Sequence, residues 1–84
     1  MKVVGAKCFL KGPAMNNVQG ALLLPTADGF AFVRDLYEAT RQVAQRMAGQ
    51  GTLMLGDPED EDLIMVALNE VEFVKIYTVE REAE

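Results

Sequence analysis

The segment from Ala31 to about Ala48 restricts the fold most strongly, because it carries the clearest helical period in the chain. Its inward side chains recur every three or four residues, as on the buried face of an amphipathic helix. Gly49 provides a C-terminal stop. The start is open, because residues 30–33 fit either a first helical turn or a hairpin strand paired with residues 21–24. The predicted inner face consists of Val33, Leu36, Tyr37, Thr40, Val43, Ala44 and Met47.

Strand patterns account for much of the remaining chain. They cover Lys2 to Lys11, Ala21 to Leu24, Thr52 to Leu55 and Glu72 to Glu80. In the first segment, alternation places one set of side chains on a buried face, namely Val4, Ala6, Cys8 and Leu10. The last segment carries apolar residues on both faces, which predicts a central or covered strand.

A second helix is predicted after Asp57, because Asp57 can cap a helix and Pro58 suits its first position. Its inner face would be Ile64, Ala67, Leu68 and Val71. The element order is then β-β-α-β-α-β, ending in a βαβ unit. We therefore predict an α/β or α+β fold, in which a small mixed sheet of about four strands packs against two helices. A chain of 84 residues has room for one core, so residues 1–84 form a single domain.

The charge is divided unevenly along the chain, whose net charge is −5. Residues 1–50 carry six basic and three acidic side chains, whereas residues 51–84 carry two basic and ten acidic ones. An acidic half repels polyanions, so neither nucleic acid nor an anionic membrane is expected to bind there. The pattern favours a protein partner with a basic surface.

The residue types that most enzymes use are missing, since the chain contains no His and no Ser. Neither a Ser-His-Asp triad nor a Cys-His pair can form, and Cys8 would be the only soft zinc ligand. We therefore predict a protein that is not an enzyme and has no metal or cofactor. One cysteine, no signal peptide and no apolar run of membrane-spanning length together predict a cytoplasmic location.

Two places could carry function. The acidic run from Asp57 to Asp62 reads either as a capped helix start or as a docking patch on that start. Thr26 follows a buried strand, where it is either a turn hydroxyl or part of a regulatory loop. The predicted partner-binding residues are Asp57, Glu59, Asp60, Glu61, Asp62, Glu70 and Glu72.

Four segments follow one another in a buried strand, a helix ending in glycines, a short strand and a closing strand, namely Ala21–Leu24, Leu36–Gly51, Thr52–Leu55 and Phe73-Val-Lys-Ile-Tyr-Thr-Val-Glu80. In this arrangement residues 21–84 resemble the STAS domain of anti-sigma-factor antagonists. The resemblance implies a non-catalytic domain that regulates a protein partner. The regulatory serine of that family has no counterpart in a chain without Ser, and Thr26 would be a displaced substitute.

Two functional hypotheses follow. The first is a non-enzymatic regulatory protein that binds a partner protein, as a monomer or a homodimer, through its helices or an exposed strand edge. The second is a compact acidic inhibitor of the kind that phages encode, such as an anti-CRISPR protein, which offers carboxylates in place of phosphates. The second hypothesis requires that the acids of residues 57–62 and 70–84 converge on one face.

Overall fold

The computed structural model describes residues 1–13, 16–57 and 62–81. Within these residues the chain forms six strands, one α-helix and one 3₁₀ turn at Leu68–Glu70. No helix in this part of the chain is long and apolar enough to cross a membrane. The elements are β1 (Lys2–Leu10), β2 (Asn17–Thr26), β3 (Gly29–Phe32), α1 (Leu36–Ala48), β4 (Thr52–Asp57), β5 (Asp62–Ala67) and β6 (Val71–Glu80).

All six strands belong to one sheet, in which every neighbouring pair is antiparallel. The order is β5-β4-β2-β1-β6, and β3 pairs with β2 beside this path. The first half of β2 pairs with β1, and its second half pairs with β3 and β4. Val33 fills the gap where β1 leaves β2, since its amide donates to the Leu22 carbonyl and its carbonyl accepts from the Val4 amide.

The core lies between the inner face of this sheet and α1. Val4, Ala6 and Cys8 are fully buried on β1, which confirms the predicted alternation of that strand. Helix α1 contributes Ala39 and Val43 to the same core. The other strands and the 3₁₀ turn contribute Leu22, Leu53, Leu55, Val66 and Leu68.

The predicted mixed α/β fold with two helices is wrong. Residues 62–67 form β5, which pairs with β4 as a hairpin, so no βαβ unit forms from Thr52 to Val79. The local signals were ambiguous because Asp and Pro are common both at helix starts and in loops. Val66 is buried whereas Leu63 and Met65 are exposed, which is the period of two that a half-buried strand requires.

The start of α1 also differs from the first interpretation. The helix begins at Leu36 and not near Ala31, because Gly29–Phe32 is a strand paired with Leu23–Thr26. The hairpin alternative is therefore correct. Asp35 is the N-cap, and its carboxylate accepts from the Tyr37 amide at 3.2 Å. The predicted stop at Gly49 is confirmed, since Gly49 is the C-cap.

Candidate interaction surface

The structure separates the acidic residues that the sequence suggested for partner binding. Asp57 and Asp62 are paired across the end of the β4–β5 hairpin. The side chain of Asp57 lies outside the described residues, as do Glu59, Asp60 and Glu61. Glu70 belongs to the 3₁₀ turn and Glu72 to the start of β6, beyond the other end of β5. A strand of six residues spans roughly 20 Å, so Asp62 and Glu70 are not brought together.

Thr26 ends β2, where it pairs with Gly29 across the tight turn at residues 27 and 28. It is exposed and precedes a strand, not the main helix. The structure therefore places Thr26 beside a hairpin turn.

A different surface stands out on the opposite side of the sheet from the core, which we call the outer face. On β1 and β6 this face displays two aromatic rings in contact, those of Phe9 and Phe73. Their centroids are 4.3 Å apart and their planes 20° from parallel. The Lys7 ammonium lies 5.4 Å from the Phe9 centroid, within cation–π range. We call Lys7, Phe9, Phe73, Lys75 and Tyr77 the aromatic–lysine strip.

The register between β1 and β6 assembles this strip. Phe9 is paired with Phe73, Lys7 with Lys75, and Gly5 with Tyr77. Side chains that are directly opposite in an antiparallel pair share one face, with Cβ atoms about 4.5–5.5 Å apart. The strip therefore consists of three alternate pairs of the β1–β6 ladder, which follow one another on the same face.

Gly5 leaves room for the Tyr77 ring at the end of the strip. A Cβ atom at this position would lie 2.6 Å from the Tyr77 ring, closer than any ordinary contact. The ring can therefore lie flat on the backbone of β1, which leaves Tyr77 half-buried. Any larger residue at position 5 would displace the Tyr77 ring from this place.

Strand β6 is at one end of the sheet order, so it is an edge strand, and its part of the strip is open to solvent at Phe73 and Lys75. The prediction that this strand is central or covered is wrong. Phe73 is 45% exposed and Val79, on the same face, is 39% exposed. Two large apolar side chains on an edge strand thus remain open to a partner.

The outer face is also distinct in its charge. By the alternation of their strands, Asp62 and Glu80 point to the opposite face, whereas Glu72 lies at the register shift beside Leu10, where alternation assigns no face. Among the described residues neither Lys7 nor Lys75 forms an ion pair. A third cation lies farther along, where the Arg81 guanidinium is 4.8 Å from the Phe32 centroid. In a chain of net charge −5, the charged groups that the regular part of the β1–β6 ladder places on this face are therefore lysines.

Two like charges opposite each other are unfavourable in a ladder. Lys7 and Lys75 hold such a pair at the centre of the strip. An anionic group between the two ammonium groups would relieve this repulsion.

Alternation along each strand puts Lys7 on the face of Phe9, and Phe73 on the face of Tyr77. This pattern could be read from the sequence. The pairing of the two strands could not, because no local pattern reports a contact between residues more than sixty positions apart. One signal was present: Lys-x-Phe at residues 7–9 is reversed as Phe-x-Lys at residues 73–75. Reversed motifs match in antiparallel register.

The remaining polar chemistry is sparse. The described residues contain no cluster of three metal-ligating side chains, and no pocket opens in this part of the chain. Cys8 is fully buried, and burial raises the pKa of its thiol.

Comparison of the chain with protein-family models, curated proteins and solved structures finds no match. The resemblance to a STAS domain stays a prediction from the sequence.

Proposed function

We propose that the chain is a non-enzymatic, regulatory protein-binding module whose aromatic–lysine strip receives a segment of a partner protein. The segment carries at least one carboxylate next to an apolar side chain. The observation that carries the proposal is the exposed, stacked Phe73 beside two lysines that form no ion pair with any described residue. Regulation of the partner is exerted by occupancy of the strip.

The apolar part of the binding energy comes from the aromatic rings. Exposed aromatic side chains at a well-packed site act as anchors, because a rigid ring buries a large area at little entropic cost. Phe73 is already fixed by its contact with Phe9, so little further ordering is needed when a partner covers it.

The charged part comes from Lys7 and Lys75. A carboxylate between them is attracted by both ammonium groups, and desolvation by the bound segment strengthens that attraction. Charge complementarity of this kind mainly raises the association rate and the specificity. The partner segment is therefore acidic. The uneven charge of the two halves of the sequence had instead suggested a partner with a basic surface.

A protein segment fits this surface better than a nucleic acid does. Stacked aromatics with lysines also occur where single strands bind. However, affinity for nucleic acid grows with the number of phosphates neutralised, and the strip offers two lysines in a chain of net charge −5. One carboxylate needs no more than those two lysines.

The proposal is tested by selecting a displayed library of random linear peptides on the immobilised chain. We expect the enriched peptides to combine Asp or Glu with Phe, Tyr, Leu or Val. Phe73→Ala should lower their affinity by about tenfold to a hundredfold, as truncation of an anchor does. The matched control is Tyr37→Ala, because Tyr37 is an aromatic residue, 77% exposed, on α1.

Three results would contradict the proposal. Enrichment of Lys- and Arg-rich peptides would favour the acidic-inhibitor hypothesis instead. If Phe73→Ala and Tyr37→Ala lost peptide affinity equally, the aromatic–lysine strip would not be the binding site. Tighter binding of oligothymidylate than of any selected peptide would indicate a nucleic-acid ligand.

A further inference from the structure

Strand β5 forms the other end of the sheet, and among the described residues it pairs with β4 alone. Residues 63–67 read Leu-Ile-Met-Val-Ala, five apolar residues without Pro, Lys or Arg. Edge strands of monomeric proteins are normally protected by charges, by proline or by a bulge. The opposite edge strand, β6, carries Glu72, Lys75 and Glu80. β5 thus has the composition of a strand that is paired on both sides.

The side chains of β5 agree with that composition. Val66 is buried and Ile64 half-buried on the inner face, where they complete the core. On the outer face Met65 is 66% exposed and Leu63 is 44% exposed. These two residues contribute little to the core of their own chain, so their apolar surface is available to a second body.

We propose that β5 pairs antiparallel with β5 of a second copy of this chain, so that one sheet continues across both copies. Opposed residues in an antiparallel pair share a face. The twofold axis must therefore pass midway between the two copies of one residue. An axis at Met65 opposes Met65 to itself, Leu63 to Ala67, and Ile64 to Val66. The most exposed side chain of the strand then lies at the centre of the interface.

The position of the charged residue in β5 favours antiparallel over parallel pairing of the two copies. The one charged residue of β5 is Asp62, at its first position. Antiparallel pairing about Met65 places Asp62 of each copy beside Leu68 of the other, so the two Asp62 carboxylates stay apart. Parallel pairing in register would place Asp62 directly opposite Asp62, which is unfavourable. The strand is therefore self-complementary in the antiparallel sense.

The dimer and the aromatic–lysine strip are independent, because β5 and β6 lie at opposite ends of the sheet order. Association through β5 leaves Phe73 and Lys75 free to bind a partner. The two-copy protein then presents two strips, which raises its avidity for any partner with repeated sites.

The test uses sedimentation velocity on the full chain over a concentration series. The wild-type protein should sediment as a species of twice the chain mass of 9.2 kDa. Met65→Lys and Met65→Glu should each sediment as monomers, because each opposes two like charges at the axis. Their equimolar mixture should form heterodimers, because Lys then opposes Glu. Tyr37→Lys, the same change at an exposed position on α1, should remain dimeric.

A second measurement needs no variant. Amide hydrogen exchange of wild-type β5 should slow as the protein concentration rises, whereas exchange of β6 should stay unchanged. A monomeric wild-type protein at every concentration would overturn the proposal. So would a mixture of Met65→Lys and Met65→Glu that stays monomeric, or a Tyr37→Lys variant that dissociates as readily as they do.

Discussion

At Gly56, β4 and β5 approach each other so closely that no other residue fits. Its φ is +144°, and an added Cβ atom would lie 1.9 Å from the Asp62 carbonyl oxygen. The next nearest atoms, the Asp62 carbonyl carbon at 2.9 Å and the Leu63 Cα at 3.1 Å, also belong to β5. The β4–β5 hairpin, which occupies the place of the predicted second helix, therefore needs glycine at position 56 for its strands to pair this closely.

Gly56→Ala should therefore lower the free energy of unfolding by roughly 3 kcal/mol or more, through backbone strain together with a steric clash. Gly29→Ala is the matched control. Gly29 has a similar φ of +143°, but an added Cβ atom there would meet nothing within 4 Å. We expect a loss of about 1–2 kcal/mol from the control, from strain alone. Urea denaturation measures both values, and equal losses would show that β4 and β5 do not meet at Gly56.

The N-cap of α1 shows that a capping residue alone does not identify a helix start. The sequence offered Asp57 as a helix cap, but Asp57 ends β4. The cap of the α-helix is Asp35, one residue before Leu36. Both positions carry the same residue type, and only the pairing of β4 with β5 distinguishes them.

Asp35→Ala should lower the free energy of unfolding by about 0.5–2 kcal/mol, because the Tyr37 amide loses its acceptor. Asp35→Asn should cost much less, since an amide oxygen caps nearly as well as a carboxylate. Thermal denaturation monitored by far-UV circular dichroism compares the two variants. A loss in Asp35→Asn as large as that in Asp35→Ala would mean that charge, and not the cap hydrogen bond, stabilises this end of α1.

Alternation predicted two strands, whereas the helical period predicted the existence of α1 but not its buried face, since Leu36 and Tyr37 are exposed and Ala39 is buried. The strand at Lys2–Leu10 and the closing strand at Val71–Glu80 were found by alternation alone. β5 was missed because Ile64, Ala67, Leu68 and Val71 also fit a helical period. Six residues are too few to separate the two patterns unless the pairing strand is known.

At the scale of the whole molecule, the charge of a sequence segment does not predict the charge of a surface. Residues 51–84 are strongly acidic, yet between Phe73 and Glu80 the outward-facing side chains of β6 include no carboxylate. Alternation sends Glu80 to the other face and leaves Lys75 beside Lys7. The candidate site became visible only when the first and last strands were paired.

The central claim is that the aromatic–lysine strip binds an acidic, apolar protein segment. The most direct measurement is a nuclear magnetic resonance titration of the labelled chain with the most enriched peptide from the library selection. Shift changes should concentrate at Lys7, Phe9, Phe73, Lys75 and Tyr77. Lys75→Glu should weaken binding at least tenfold, because it places a carboxylate where the peptide carboxylate would sit. Shift changes centred on Asp57 and Asp62, with Lys75→Glu binding as tightly as the wild type, would contradict the account.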